Sequence, residues 1–263
     1  MSTPSSRPLV LVTGAARRIG REIALELATH GWDVALHCRH SRDDAQATAA
    51  QVQAAGGQAE VFEADLADTA ACEALVPAVL LRCGRLDAVV NSASLFEYDD
   101  VGSFTVGMME RHWRANTAPA IVLARALHEH LVERQAQGDV QGCVVNLLDQ
   151  KLVNPNPDYL SYTLSKAALD AATTMLAQAL APILRVCGVA PGVTLPSGTM
   201  TSDEFARAHQ LTPLQRSSTA ADIARTVRFL LESPAITGTT VLVDGGQHLL
   251  PQARDVQFLA KGA

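Results

Sequence analysis

The residues in this chain whose types suit acid–base chemistry stand close together. Tyr162 and Lys166 are four apart in Tyr162-Thr163-Leu164-Ser165-Lys166. On a helix, residues at i and i+4 share a face, so the phenol and the ammonium would lie side by side. A phenol ionises near about pH 10 and exchanges protons sluggishly at neutrality, whereas a neighbouring ammonium favours the phenolate and lowers that value. Such a pair can pass a proton to a bound substrate. Taken alone, the Y-x-x-x-K spacing also describes many exposed helix surfaces.

A second group has the character of a phosphate site. Thr13-Gly14-Ala15-Ala16-Arg17-Arg18-Ile19-Gly20 joins an apolar run to an amphipathic one. Glycine permits a sharp bend and a close backbone approach, and the N–H groups opening a helix face anionic oxygens. Gly14, Arg17, Arg18, Ile19 and Gly20 are therefore candidate dinucleotide contacts. About 20 residues further on, such a turn is normally followed by an acid for the ribose 2′-hydroxyl. Here the chain reads His37-Cys38-Arg39-His40-Ser41. Arg39, His40 and Ser41 offer cationic and hydroxyl donors suited to a 2′-phosphate, which predicts NADPH over NADH; a solvated basic loop is the alternative. Asp65, followed by Leu66, suits the adenine amino group or the N-cap of the next helix.

These groups need a scaffold, and the pattern supplies one. Apolar runs at Leu9–Gly14, Asp33–Cys38, Ala59–Asp65, Leu86–Ala93, Gly142–Asp149, Leu184–Pro191 and Thr239–Gly246 alternate with helical patterns. The helices are predicted at Arg17–Thr29, Ala70–Cys83, Gly107–Arg134, Tyr159–Ala181 and Ala220–Glu232. Alternation of this kind marks βαβ units on a parallel sheet, and near-continuous apolar strands are those covered on both faces. No repeat, linker or composition break divides the chain, so a single α/β domain is expected over 1–263, with its core at 8–246. Two segments fall outside the alternation. Val193–Leu214 lies where a substrate loop would sit, at the carboxyl ends of the strands, or is a surface loop. The tail, 247–263, either reaches over a neighbouring subunit's site or frays.

The 263 residues carry 21 Lys+Arg against 27 Asp+Glu, a net charge of −6, which argues against a nucleic-acid binder. With 48% hydrophobic residues the chain is expected to fold. No apolar run reaches the roughly 18 residues of a membrane span, since Asp170, Gln178, Pro182 and Arg185 interrupt the Ala-rich region. The first residues lack an apolar secretory segment. Cys38, Cys72, Cys83, Cys143 and Cys187 are scattered and never form C-x-x-C, which fits reduced thiols in a cytoplasmic protein rather than a metal or disulfide framework.

The glycine turn, Asn91-Ser92-Ala93-Ser94, Asn116, Y-x-x-x-K, Pro191-Gly192 and Val243-Asp244-Gly245-Gly246 together resemble the short-chain dehydrogenase/reductases, over Val10–Gly246. The resemblance implies a doubly wound Rossmann sheet in the order 3-2-1-4-5-6-7. It makes Tyr162 the proton donor and has Lys166 hold the nicotinamide ribose and lower the tyrosine pKa. Asn116 would support a water-linked proton relay, and Asn91, Ala93, Pro191 and Gly192 would contact the cofactor. Three departures narrow it: Arg18 replaces a common glycine, Asp149 stands where most members have a catalytic serine, and Asn91-Ser92-Ala93-Ser94 replaces N-N-A-G. These features resemble the pteridine reductases, including the bacterial dihydromonapterin reductase type.

A ketone reductase needs a neutral donor on its carbonyl oxygen, and a carboxylate would repel the developing alkoxide. A pterin instead presents an amino group and ring nitrogens that can address a carboxylate. On this resemblance Asp149 orients the pterin, Phe96 stacks on it, and Arg17 and Ser94 meet its polar edge or the cofactor phosphates. Plainer readings make Asp149 a turn cap and Phe96 a core aromatic. The expectation is an NADPH-dependent reductase of pteridines, with dihydrofolate or a fully oxidised pterin as further substrates, assembled as a homotetramer. A carbonyl or ketoacyl reductase and a non-catalytic NADPH-binding scaffold are the alternatives.

Overall fold

Seven aliphatic runs become seven strands in the computed structural model, which describes residues 7–136, 138, 140–196 and 200–260. They are β1 Leu9–Val12, β2 Asp33–Cys38, β3 Ala59–Glu63, β4 Ala88–Asn91, β5 Gly142–Leu147, β6 Leu184–Pro191 and β7 Thr240–Val243. All neighbours pair in parallel, in the order 3-2-1-4-5-6-7 expected from the sequence.

Alternate residues of each strand feed opposite layers. Val10, Val12, Val34, Val90 and Val145 pack with α1 (Arg18–Thr29), α2 (Arg42–Ala54) and α8 (Ala220–Glu232) through Ile23, Leu27, Val52 and Val227. Leu9, Leu11, Val89, Val144 and Val186 face α3 (Thr69–Cys83), α5 (Ala118–Gln135) and α6 (Leu160–Ala179) through Leu75, Val79, Leu123 and Leu127. A fully buried leucine such as Leu127 contributes about 1.5–3 kcal/mol. The order reverses between β1 and β4, and beside such a switch point, at the carboxyl ends of the strands, parallel sheets hold ligands.

The sequence reading omitted α2. Its buried stripe is Ala45, Thr48, Ala49 and Val52, which has helical spacing but mostly small side chains. The single helix expected over Gly107–Arg134 divides into α4 (Val106–His112), a π-helical turn at Trp113–Thr117 and α5. Pro119, in the first turn of α5, has no N–H to return to the carbonyl four residues back, which favours the wider turn there. Asn116 sits in that turn. The Val193–Leu214 segment contains α7, Ser202–Gln210, opened by a Thr201/Glu204 capping box; residues 197–199 lie outside the described residues. The tail forms a 3-10 turn at Gln247–Leu249 and a short helix, α9, at Val256–Leu259. Among the described residues, Val256 and Ala260 bury against Ala208 of α7 and Val193 of the same chain.

Candidate active site

β5 and α6 bring Asp149, Tyr162 and Lys166 together. Asp149 follows β5 and caps a 3-10 turn at Gln150–Leu152, its Oδ1 accepting the Lys151 N–H at 2.9 Å. Its Oδ2 accepts the Tyr162 hydroxyl, also at 2.9 Å. The capping role and the role beside the phenol are therefore held by one carboxylate, one oxygen each. Burial raises the Asp149 pKa; Asp255 adds to that, and the bonds from Lys151 and Tyr162 oppose it. Burial, then the Asp149 charge, pushes Tyr162 well above the usual phenol value.

Lys166 corrects one expectation. Its ammonium donates to the Leu147 carbonyl at 2.7 Å and stands 5.8 Å from the Tyr162 ring centroid. It is 3% exposed, and burial lowers its pKa to about 8. The titratable group bonded to the phenol is thus the Asp149 carboxyl, and burial together with that carboxyl disfavours the phenolate. Tyr162 and Asp149 form a proton-holding pair, with Lys166 buried beside them.

Asn116 is held by four side-chain hydrogen bonds. Its Oδ1 accepts the Leu95 N–H at 2.6 Å and the Ser94 hydroxyl at 3.3 Å, while its Nδ2 donates to the Leu95 carbonyl and to Ser165 Oγ, both at 3.0 Å. With every polar atom engaged, it ties the loop after β4 to α6. That loop presents Phe96, which stacks on Tyr159 at 4.2 Å and meets Tyr162 edge-on at 4.7 Å. Phe96 is 42% exposed and lines the cavity, so it is not a core aromatic. Asp99 from the same loop accepts both the N–H and the hydroxyl of Ser161, which caps α6 from outside the helix.

The glycine turn lines the other end of a cavity of about 450 Å³ that Asp149, Tyr162 and Lys166 also line. Gly14 has φ +66°, and a Cβ at Gly20 would lie 2.3 Å from the Gly14 carbonyl oxygen. Arg17 occupies the N-cap of α1 without a side-chain cap bond, which leaves the first-turn N–H groups facing the cavity for an anion. These residues fit a dinucleotide pyrophosphate. The turn is held by His37, whose Nδ1 accepts the Gly14 N–H at 3.2 Å and whose Nε2 meets the Ala64 carbonyl; burial lowers its pKa.

Ala93, Ser94, Ile19, Pro191 and Gly192, named from the sequence, line the cavity, and Ser92 lines it with them. Arg17 lines it too, but its guanidinium pairs with Asp44 of α2. Arg18 adopts φ +56° and donates to the Pro196 carbonyl at 3.0 Å, linking the turn to the segment after β6. Arg39 and His40 are exposed at the end of β2, and Ser41 begins α2 without a cap bond; all three lie outside the cavity lining, as do Asp65, Leu66 and Asn91. Asp65 accepts the Ala67 N–H, while the cap of α3 is Asp68, so the N-cap alternative is corrected. Leu66 packs in the core and Asn91 donates to Asn146 within the sheet.

The sequence reading missed the far wall. Gln150, Lys151 and Asn156 from the segment after β5 meet Gln252, Asp255 and Gln257 from the tail. Nothing in their spacing marks them, since they occupy loops and short single turns that only tertiary contacts order.

A family model described as enoyl-(acyl carrier protein) reductase matches residues 14–248, and with the fold and the Tyr162–Lys166 site it places the chain plainly in the short-chain dehydrogenase/reductase family. Within that family, pteridine reductase 1 of Leishmania tarentolae is 32% identical, over 95% of this chain and 99% of that protein. The crystal structure of FolM alternative dihydrofolate reductase 1 from Brucella canis, complexed with NADP, superposes with a TM-score of 0.86 at 41% identity, covering 96% of this chain and 99% of that one. The 3-oxoacyl-[acyl-carrier-protein] reductase FabG of Staphylococcus aureus is 31% identical, over 91% of this chain and 97% of that protein.

Proposed function

We propose that the protein is an NADPH-dependent reductase of dihydropteridines. The observation that carries this reading is the hydrogen bond between Asp149 and Tyr162 inside the cavity. A ketone reductase needs only a neutral hydroxyl donor at this place, whereas a carboxyl group that can both accept and give a proton suits a heterocycle whose ring nitrogen gains one and whose amino group donates. The NADP complex of the Brucella canis relative and the anion-facing turn support the cofactor assignment.

When bound, NADPH supplies the hydride to the carbon of a ring C=N bond. Tyr162 places its hydroxyl proton on the adjoining nitrogen, and the Asp149 carboxyl, protonated more readily than an ordinary aspartate, restores the phenol. The proton lost from Asp149 returns from solvent. Lys166, buried and anchored on Leu147, sits where it can hold the nicotinamide ribose. Phe96 offers an aromatic face to a flat ring.

Steady-state reduction of dihydromonapterin and dihydrobiopterin with NADPH tests the reading. Turnover is expected in the native protein, falling about 100-fold in Asp149→Ser. No turnover with either substrate, or undiminished pterin activity in Asp149→Ser, overturns it. Ketoacyl reduction is the second reading, favoured by the resemblance to FabG; ketone activity that appears or rises in Asp149→Ser would support it.

A further inference from the structure

The C-terminal segment is built into the site of its own chain. Arg254 grips Asp158 through Nε and a terminal nitrogen at 2.8 Å each, and the Asp255 N–H adds a bond of 2.7 Å to the same carboxylate. Gln257 accepts the Tyr159 hydroxyl at 2.5 Å, and Phe258 lies against Tyr98 and Tyr159. Arg207 of α7 closes the arrangement by donating twice to the Ala260 carbonyl. The segment thus bridges the loop after β4, the start of α6 and the segment after β6.

Asp255 is its point of contact with the chemistry. Its Oδ1 caps α9 by accepting the Gln257 N–H, and its Oδ2 meets the Lys151 ammonium at 3.2 Å. The Lys151 side chain is only 5% exposed, and its ammonium also donates to the Asp158 carbonyl at 2.5 Å. The backbone N–H of that same lysine holds Asp149. An anion on the tail and the carboxylate of the proton-holding pair therefore share one residue, from opposite sides.

We propose that Asp255 is a positioning residue for the Asp149–Tyr162 pair: by neutralising Lys151 it keeps the Asp149 turn in place and favours the proton on the pair. The inference rests on the reading of Asp149 and Tyr162 as proton carriers. The charged and titratable groups facing Asp149 are Tyr162 and Lys166 from α6, Lys151 from its own turn and Asp255 from the tail, with Arg17 and Arg18 across the cavity. Asp158 is occupied by Arg254. Removing the Asp255 charge withdraws a neighbouring anion and leaves Lys151 unbalanced, and both changes lower the proton affinity of Asp149.

The test compares kcat/KM against pH for the native protein, Asp255→Asn and Asp255→Glu. Asparagine caps a helix about as well as aspartate, so α9 is retained. The alkaline limb is expected to move down by about one pH unit in Asp255→Asn and to stay in place in Asp255→Glu, with NADPH affinity unchanged in both. A uniform loss of kcat/KM at every pH, or no change at all, overturns the proposal. Absence of dihydropterin turnover in the native protein counts against the function only. The tail is then tested by phenolate absorbance, since the chain has three tyrosines and the Tyr162→Phe difference isolates one. Tyr162 should ionise at lower pH in Asp255→Asn, and an unmoved midpoint overturns the proposal.

Discussion

The Tyr162 hydroxyl rests 2.9 Å from Asp149, and the helix carrying the phenol is capped by Asp99, a residue far from it in the chain. The pair is held in a buried setting that disfavours charge on either member. An acid whose folded pKa is raised adds stability below its unfolded pKa, and that stability is lost as the pH rises through the folded value. Asp149→Asn should therefore raise Tm by about 2–4 °C at pH 8 and by much less near pH 4, while abolishing reductase activity. Calorimetry at the two pH values measures it, and an equal shift at both contradicts the argument.

Asp99 is 1% exposed and meets both polar groups of Ser161. Asp99→Ala leaves those donors buried without their acceptor, at a cost of about 1–3 kcal/mol. Because α6 carries Tyr162 and Lys166, kcat should fall along with the urea midpoint. A variant of native stability and activity would refute the coupling.

Gly20→Ala places a methyl group 2.3 Å from the Gly14 oxygen, a backbone atom that cannot step aside cheaply. Fluorescence titration should show NADPH affinity weakened by about tenfold or more, with the fold retained by circular dichroism.

Arg39 lies exposed at the carboxyl end of β2. If its guanidinium meets a 2′-phosphate, Arg39→Asp should cut the preference for NADPH over NADH by about 10–100-fold, the size of a lost charge-assisted bond. Steady-state kinetics with both cofactors decide it; an unaltered ratio removes Arg39 from the cofactor site.

Tyr162 and Lys166 were legible because their spacing on one helix is local, whereas Asp149, just beyond β5, was legible only through the family resemblance. The sheet was legible locally as well, since each strand is a run of buried aliphatic residues. α2 was not, because a stripe of Ala45, Thr48 and Ala49 carries little hydrophobic contrast. Asn116 was placed in a helical segment, but the π-helical turn that aims its side chain at Leu95 and Ser165 carries no signal in the sequence. Lys151 and Asp255 were invisible because their partnership spans more than a hundred residues of chain.

The far wall comes from loops and short single turns, whereas the proton-holding pair stands at the carboxyl end of a central strand and on a long helix. Recognition and reaction are thereby carried by separately editable stretches. Exchanging the residues around Gln252 and Gln257 should retune which molecules are admitted, leaving the conversion itself intact as long as Asp255 keeps its charge.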